Sequence, residues 1–223
     1  MNTPPKTFHS PLYRDFKEID ANSFRTIVRF YQEYESEITA LNFEEYFDLL
    51  VNYAHALFRT KAHGKFIRIA DTILQLSITE NIRFWNGEDI FYGTLLRKAA
   101  CHHYLLELDA CDELTRQLVG MDPAEKEAQM LMRRNLRLMR SDFVRQGRAV
   151  CIVALMVSAV IVLAEVLVVR SFYPEWLDAV QSLRTGVFLF GVATLVVCDG
   201  YNYLASNWKT LRFAHRARLK RKK

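Results

Sequence analysis

The chain has 223 residues, a formal net charge of +5, and a composition that is 51% hydrophobic and 25% charged. This length accommodates one compact domain plus an additional segment, and the charged content excludes a chain wholly embedded in a membrane. The 10 Tyr, 15 Phe and 3 Trp residues exclude a disordered chain.

Residues 1–22 begin with a proline-rich, polar stretch that has no apolar signal-peptide core, and they predict a flexible lead-in. From 23 to 147 we predict a cytoplasmic α-helical domain, because apolar side chains recur at three-to-four-residue spacing. Asn22 or Ser23 caps the first helix, which we expect to end near Ile38, and Asn42 caps the second. Trp85-Asn86-Gly87 predicts a turn. No stretch alternates in the manner of a strand, so the predicted fold class is all-α.

Two predicted helix pairs, at about 43–77 and 88–119, have the length of a tetratricopeptide (TPR) unit. The second resembles that family at Leu95, Ala99, Leu108 and the closing Met121-Asp122-Pro123. The first resembles it at Ala54, Gly64, Phe66 and Ala70, in a slipped register. The resemblance implies a degenerate TPR-like array, whose curved helical surface docks peptides or partner helices and has no catalytic role.

A group of potential metal ligands occurs between residues 101 and 111. A dedicated site needs three or four convergent ligands, and no other segment offers the spacing that would complete one. We therefore expect no metal, no cofactor and no catalytic residue, and phosphate-binding and nucleophile motifs are also lacking in the sequence. The residues of this group are Cys101, His102, His103, Glu107 and Cys111.

Two apolar segments follow the helical domain. We predict a first transmembrane helix at 148–170, where the 21 residues 149–169 would span roughly 30 Å. A second, more polar span is predicted at 185–206. An external loop at 171–184 joins the two spans, and a basic tail at 207–223 follows them. A buried helix of a soluble core is the alternative interpretation of each apolar segment.

The charges beside these spans predict their orientation. Residues 1–132 carry 14 Lys/Arg and 20 Asp/Glu, a net of −6, whereas 133–148 carry six Arg and one Asp, a net of +5. The tail has eight Lys/Arg and no acid, and the connecting segment 170–184 is neutral, with Arg170 and Arg184 against Glu175 and Asp178. By the positive-inside rule both termini are cytoplasmic, in the cell (inner) membrane. The residues expected to face anionic lipid headgroups are Arg133, Arg134, Arg137, Arg140, Arg145, Arg148, Lys220, Arg221, Lys222 and Lys223.

Polar and small residues within the spans suggest helix contacts. Intramembrane polar candidates are Glu165, Asp199, Asn202 and Ser158, because such groups normally face protein or water. The arithmetic of helix rise places Glu165 near the outer surface, where its carboxyl group can reach outward or be protonated, and Asp199 nearer the cytoplasm. Cys151, Ala154, Ser158 and Glu165 form one stripe. Gly186, Ala193 and Gly200 recur every seven residues and predict a helix-packing seam, which either joins the two spans or drives self-association.

Two functional hypotheses follow from this organisation. The first is a multi-pass membrane protein that displays an acidic TPR-like module at the cytoplasmic face, where it acts as a scaffold for an unknown protein partner. The alternative is an oligomeric pore-forming or ion-conducting protein controlled by the cytoplasmic domain, which needs several copies because two spans cannot enclose a water path. Neither is an enzyme, and membrane lipid rather than nucleic acid is the expected partner of the basic stretches.

Overall fold

The computed structural model describes residues 10–139, 141–169 and 174–221. The all-α prediction is confirmed, since 85% of the residues are helical. The chain divides into two compact units, and the boundary lies between Met121 and Asp122. The domain predicted for 23–147 therefore ends earlier in the structure, and its last helix belongs to the second unit.

Between residues 10 and 121, the first unit contains seven helices and a short hairpin. In chain order they are α1 (Pro11–Glu18), α2 (Phe24–Glu33), α3 (Glu35–Ile38), α4 (Phe43–Arg59), α5 (His63–Thr79), β1 (Phe84–Trp85), β2 (Glu88–Asp89), α6 (Ile90–Tyr104) and α7 (Leu108–Met121). The helix pairs α4–α5 and α6–α7 coincide closely with the two predicted at 43–77 and 88–119. Their core side chains include Phe47, Leu50, Leu57, Phe66 and Ile73, none more than 1% exposed.

Local sequence signals explain several helix starts in this unit. Asn42 caps α4 by accepting a hydrogen bond from the Glu45 N–H at 2.9 Å, as its position predicted. Asp89 caps α6 in the same way, accepting from the Tyr92 N–H at 2.8 Å. The predicted first helix is split at Tyr34, whose backbone leaves the helical region between α2 and α3.

The prediction of a flexible lead-in is wrong for residues 11–18. Ser10 caps α1 by accepting from the Tyr13 N–H at 3.2 Å, and Pro11 occupies the first helical position, where its missing N–H has no cost. Phe16 is 5% exposed and joins the core. The apolar residues of α1 were too few to predict a helix, and burial of Phe16 against the rest of the unit stabilises it.

The Asn86-Gly87 turn closes a two-stranded antiparallel hairpin, so the expectation of no strand fails at this point. Asn86 has φ of 50° and Gly87 has φ of 81°. These angles suit the mirror-image turns that match the right-handed twist of a hairpin, and Asn-Gly favours them. Each strand has two residues, too few for an alternating pattern to reveal.

The second unit contains α8 (Lys126–Met139), α9 (Ser141–Ala164) with a π-helical extension at Glu165–Val169, a 3-10 turn at Pro174–Trp176, and α10 (Leu177–Arg221). Two segments, Val144–Leu167 and Leu177–Leu219, are long and apolar enough to cross a membrane, although the second is weakly apolar over its 43 residues. α9 and α10 pack side by side.

α10 runs without interruption through two predicted boundaries. It begins inside the segment predicted as a loop at 171–184 and continues through the predicted tail to Arg221. None of the five prolines of the chain lies between 177 and 221, so nothing removes a backbone donor along this stretch. At 45 residues the helix is roughly 67 Å long, about twice the thickness of a hydrocarbon core.

Candidate functional site

The facing surfaces of α9 and α10 are built from small and polar residues. On α9 the stripe of Cys151, Ala154, Ser158 and Glu165 is buried, with each residue at most 9% exposed. A Cβ added to Gly191 of α10 would lie 2.9 Å from the Cβ of Ala154. The two helices therefore approach closely because one of them lacks a side chain at the contact.

The predicted packing seam of Gly186, Ala193 and Gly200 lies on another face of α10. All three residues are exposed, and a Cβ added to Gly186 or Gly200 would have no neighbour within 4 Å. The prediction that this seam joins the two spans is therefore wrong. The positions of α10 that contact α9 are Arg184 against Glu165, Gly191 against Ala154 and Cys198 against Gly147. They follow the same seven-residue repeat shifted by two residues, which is about 200° around a helix. Periodicity predicts that residues share a face but not which face meets a neighbour.

Glu165 pairs with two side chains of α10. Its carboxylate accepts a hydrogen bond from the Arg184 guanidinium at 3.0 Å and another from the Gln181 amide at 3.2 Å. Only 11% of the Glu165 side chain is exposed, and its carboxylate is paired with Arg184 between α9 and α10 instead of reaching outward. The π-helical turn begins at this residue, and such widened turns often occur at functional positions.

In the described part of the chain, Asp199 forms the second acid–arginine contact between α9 and α10, which together make a helical hairpin. Its carboxylate lies 3.9 Å from the Arg148 guanidinium, and both side chains are partly exposed. Arg148 and Glu165 are 17 positions apart on α9, which corresponds to roughly 25 Å along the axis. The two pairs thus lie at opposite ends of the apolar part of the α9–α10 pair, and Glu165 and Asp199 have different partners.

α8 packs against α10 through a polar interior. Asn202 donates a hydrogen bond from its side-chain amide to the Arg137 carbonyl oxygen at 3.4 Å. The Arg137 guanidinium lies 4.3 Å from the centre of the Tyr203 ring and donates to the Asn207 side chain at 3.4 Å. Ser206 and Thr210 nearby are fully buried.

The predicted lipid-facing arginines separate into two groups. Arg134 and Arg145 are exposed, whereas Arg133 and Arg137 are half-buried, with Arg133 donating to Gln129 at 3.2 Å. Arg148 contacts Asp199, as described above. Arg140, Lys222 and Lys223 lie outside the described residues, as do the side chains of Lys220 and Arg221.

The cysteine and histidine group of the first unit forms separate contacts. His102 pairs with Glu107, and the Cys101 thiol lies 3.4 Å from Nδ1 of His63. Cys101 and Cys111 are fully buried, and burial raises the pKa of each thiol to about 12. Within 10–139, 141–169 and 174–221, no three or more His, Cys, Asp or Glu side chains are placed to hold a metal ion.

Asp48 is a buried carboxylate that the sequence analysis did not single out. It accepts hydrogen bonds from the Tyr13 hydroxyl at 3.0 Å and the Trp85 indole at 3.1 Å, and it pairs with Lys17 at 2.6 Å. Burial alone would raise the pKa of Asp48, but the hydrogen bonds from Lys17 and Trp85 and the Lys17 charge hold it below its ordinary value. A charged residue inside the apolar run Phe47-Asp48-Leu49-Leu50 was the feature of the sequence that could have indicated a buried carboxylate.

No family model matches the chain, and no curated protein or solved structure is similar to it. The TPR resemblance therefore stays a prediction.

Proposed function

We propose that this protein is a multi-pass membrane protein that holds an acidic α-helical module at the cytoplasmic face, where the module docks a protein partner. The observation that carries the proposal is the arrangement of side chains around α9 and α10, which is the reverse of that in a water-soluble bundle.

Large apolar side chains cover the outside of this hairpin, while its interior is small and polar. Water-soluble proteins rarely leave extended apolar surface exposed, and helix association in lipid favours small residues at the contact. A lipid environment accounts for both features. The exposed apolar residues include Val150, Ile152, Val153, Met156, Val160, Leu163, Phe188, Leu189, Phe190, Val196 and Val197.

The two acid–arginine pairs support the same environment. Their separation of roughly 25 Å approaches the thickness of a hydrocarbon core, so each pair would lie near one membrane surface. A charged side chain at mid-membrane is costly, and a partner of opposite charge reduces that cost. The basic segments beside the cytoplasmic end then give the orientation with both termini inside.

An exposed apolar turn supports a docking role for the module. Tyr104, Leu105 and Leu106, at the α6–α7 turn, are 62%, 42% and 70% exposed. Leu106 has φ of 61°, a left-handed conformation that costs a leucine roughly 1 kcal/mol and that glycine or asparagine would adopt more easily. A strained, exposed leucine that follows two other exposed apolar residues favours contact with a partner protein.

The alternative of an oligomeric pore has less support. Its basis in the sequence was the polar stripes of the two spans and the different depths of Glu165 and Asp199, and each of these acids has an arginine partner within the α9–α10 pair. A polar stripe that is occupied inside the hairpin offers fewer groups to line a water path between copies.

Topology reporters test the membrane part of the proposal. We expect a cytoplasm-active fluorescent protein to fluoresce after Lys223 but not after Trp176, and a phosphatase that needs export to show the opposite pattern. Extraction of the full chain from membranes by alkaline carbonate, or fluorescence at both fusion points, would contradict the proposal.

Photo-crosslinking in cells tests the docking part. A benzophenone amino acid at Leu106 should give a discrete protein adduct, because this side chain is 70% exposed. The same amino acid at Glu44, an exposed acid in the first turn of α4, is the matched control and should give none. Identical adduct patterns at the two positions would argue against a docking surface at the α6–α7 turn.

A further inference from the structure

A half-enclosed cavity lies within the first unit, between α4, α5, the β1–β2 hairpin and α6. Its volume is about 170 Å³. The floor consists of buried apolar side chains, and Trp85 forms part of the wall. A dry cavity of about 150 Å³ is large enough to bind benzene, so this one accommodates a single ring or a branched aliphatic chain. The floor residues are Ala54, Phe66, Ile73 and Ile90.

Polar groups at the cavity include an arginine that keeps most of its donors unused. Arg97 donates to Glu88 at 3.0 Å, and 30% of the Arg97 side chain and 66% of the Glu88 side chain are exposed. An exposed pair of this kind is weak, and the planar guanidinium retains further N–H groups in a geometry that suits a carboxylate. The carboxylate of a bound small molecule can therefore share the Arg97 guanidinium with Glu88 or replace Glu88 as its partner.

Thr94 supplies a second polar group deeper in the same cavity. The residue is 4% exposed and lines the cavity, and its hydroxyl forms no hydrogen bond within the described part of the chain. Buried hydroxyl groups normally have a partner, so this one is available to a ligand.

The charged side chains that line the cavity are Arg97 and Glu88, one of each sign. His55, at the rim, has its pKa lowered by burial and by the positive charges of Arg97 and Arg59, with only Glu88 acting in the other direction. The positive charge that an anion would meet at this rim is that of Arg97, which lines the cavity and is 30% exposed, although the surrounding unit is acidic.

We propose that this cavity binds a small monocarboxylate with an aromatic or branched aliphatic body, whose carboxylate pairs with Arg97 while its apolar part fills the space above Phe66 and Ile73. Thr94 donates a further hydrogen bond to the ligand. This inference does not depend on the membrane location of the protein, because every residue involved belongs to the first unit.

Equilibrium dialysis of labelled phenylacetate against the full chain in detergent micelles tests the proposal, with empty micelles as the blank. We expect saturable binding, which Arg97→Gln weakens about tenfold because a charge-assisted hydrogen bond is lost. Phenylacetamide, the neutral analogue, should bind more weakly than phenylacetate and should not respond to Arg97→Gln. The matched control is Arg68→Gln, which removes an exposed arginine of α5 outside the cavity and should leave binding unchanged.

A second variant tests the role of the cavity's shape independently of the charge of Arg97. Ala54→Leu places extra atoms in the floor and should abolish binding of both probes, and circular dichroism establishes whether the variant is folded. Phenylacetate binding that is equal in the wild type and Arg97→Gln would overturn the carboxylate assignment. The absence of saturable binding to the folded wild type, or retention of binding in folded Ala54→Leu, would overturn the site itself.

Discussion

Replacing Asp48 by asparagine is expected to destabilise the first unit, because this carboxylate connects α1 and the β1–β2 hairpin to α4. It accepts from the Tyr13 hydroxyl and the Trp85 indole and pairs with Lys17. The asparagine side chain retains one acceptor oxygen but brings an amide donor toward groups that are themselves donors.

The magnitude follows from these contacts. Hydrogen bonds to a charged acceptor are roughly twice as strong as neutral ones. The bonds from Tyr13, Trp85 and the Asn86 amide, which donates to Asp48 at 3.3 Å, should therefore each lose about 0.5–1 kcal/mol. The Lys17 side chain is 48% exposed, so its ion pair contributes only about 1 kcal/mol. We expect the free energy of unfolding to fall by roughly 2.5–4 kcal/mol in total.

The assay is a urea titration of the full chain in detergent micelles, followed by Trp85 emission in a Trp176→Phe, Trp208→Phe background. Asp15→Asn is the matched control, since Asp15 is an exposed acid of the same α1 helix. The control should change the free energy of unfolding by less than about 0.5 kcal/mol. Equal effects of the two substitutions would refute the assignment of a structural role to the Asp48 charge.

The pH dependence has a definite sign. Because the pKa of Asp48 is lowered in the folded state, its contribution is present above the ordinary pKa of 3.8 and is lost as pH falls toward the depressed value. The difference between wild type and Asp48→Asn should therefore be constant from pH 7 to pH 5 and shrink below about pH 4. A difference that grows as pH falls would contradict this linkage.

Three further predictions concern the hairpin and the buried thiols. Gly191→Leu should destabilise the α9–α10 helical hairpin by about 1–3 kcal/mol, because the new side chain meets Ala154, whereas Gly200→Leu should have little effect. An SDS titration followed by tryptophan emission measures both variants, and similar losses would contradict the assigned contact face. Glu165→Gln should destabilise the same helical hairpin by about 1–3 kcal/mol, which is less than for a fully buried ion pair because the Arg184 side chain is 36% exposed. The double variant Glu165→Arg, Arg184→Glu, which exchanges the two charges, should recover part of the lost stability. Cys101 should resist alkylation by iodoacetamide at pH 8 until urea unfolds the chain, since a pKa of about 12 leaves roughly one thiol in ten thousand as thiolate. Rapid alkylation of the native protein would contradict the burial of this thiol.

The amino-acid sequence determined the elements whose signals are local. Three-to-four-residue spacing and the Asn42 cap predicted the α4–α5 and α6–α7 pairs, because helix periodicity and capping depend on neighbours a few residues apart. The two long apolar helices at the carboxyl-terminal end followed from hydropathy in the same way. The stripe of small and polar residues on α9 was also predicted from the sequence, because its members recur at helical spacing.

Tertiary structure alone decided which surfaces meet. α1 contains too few apolar residues to predict a helix, yet Phe16 and the Tyr13 and Lys17 contacts with Asp48 hold it against α4. The contact face of α10 contains Gly191 rather than Gly186, because rotation of a helix about its axis is set by the fit of its partner. The pairing of Glu165 with Arg184 joins residues 19 positions apart on two helices, and no period within either helix encodes that distance.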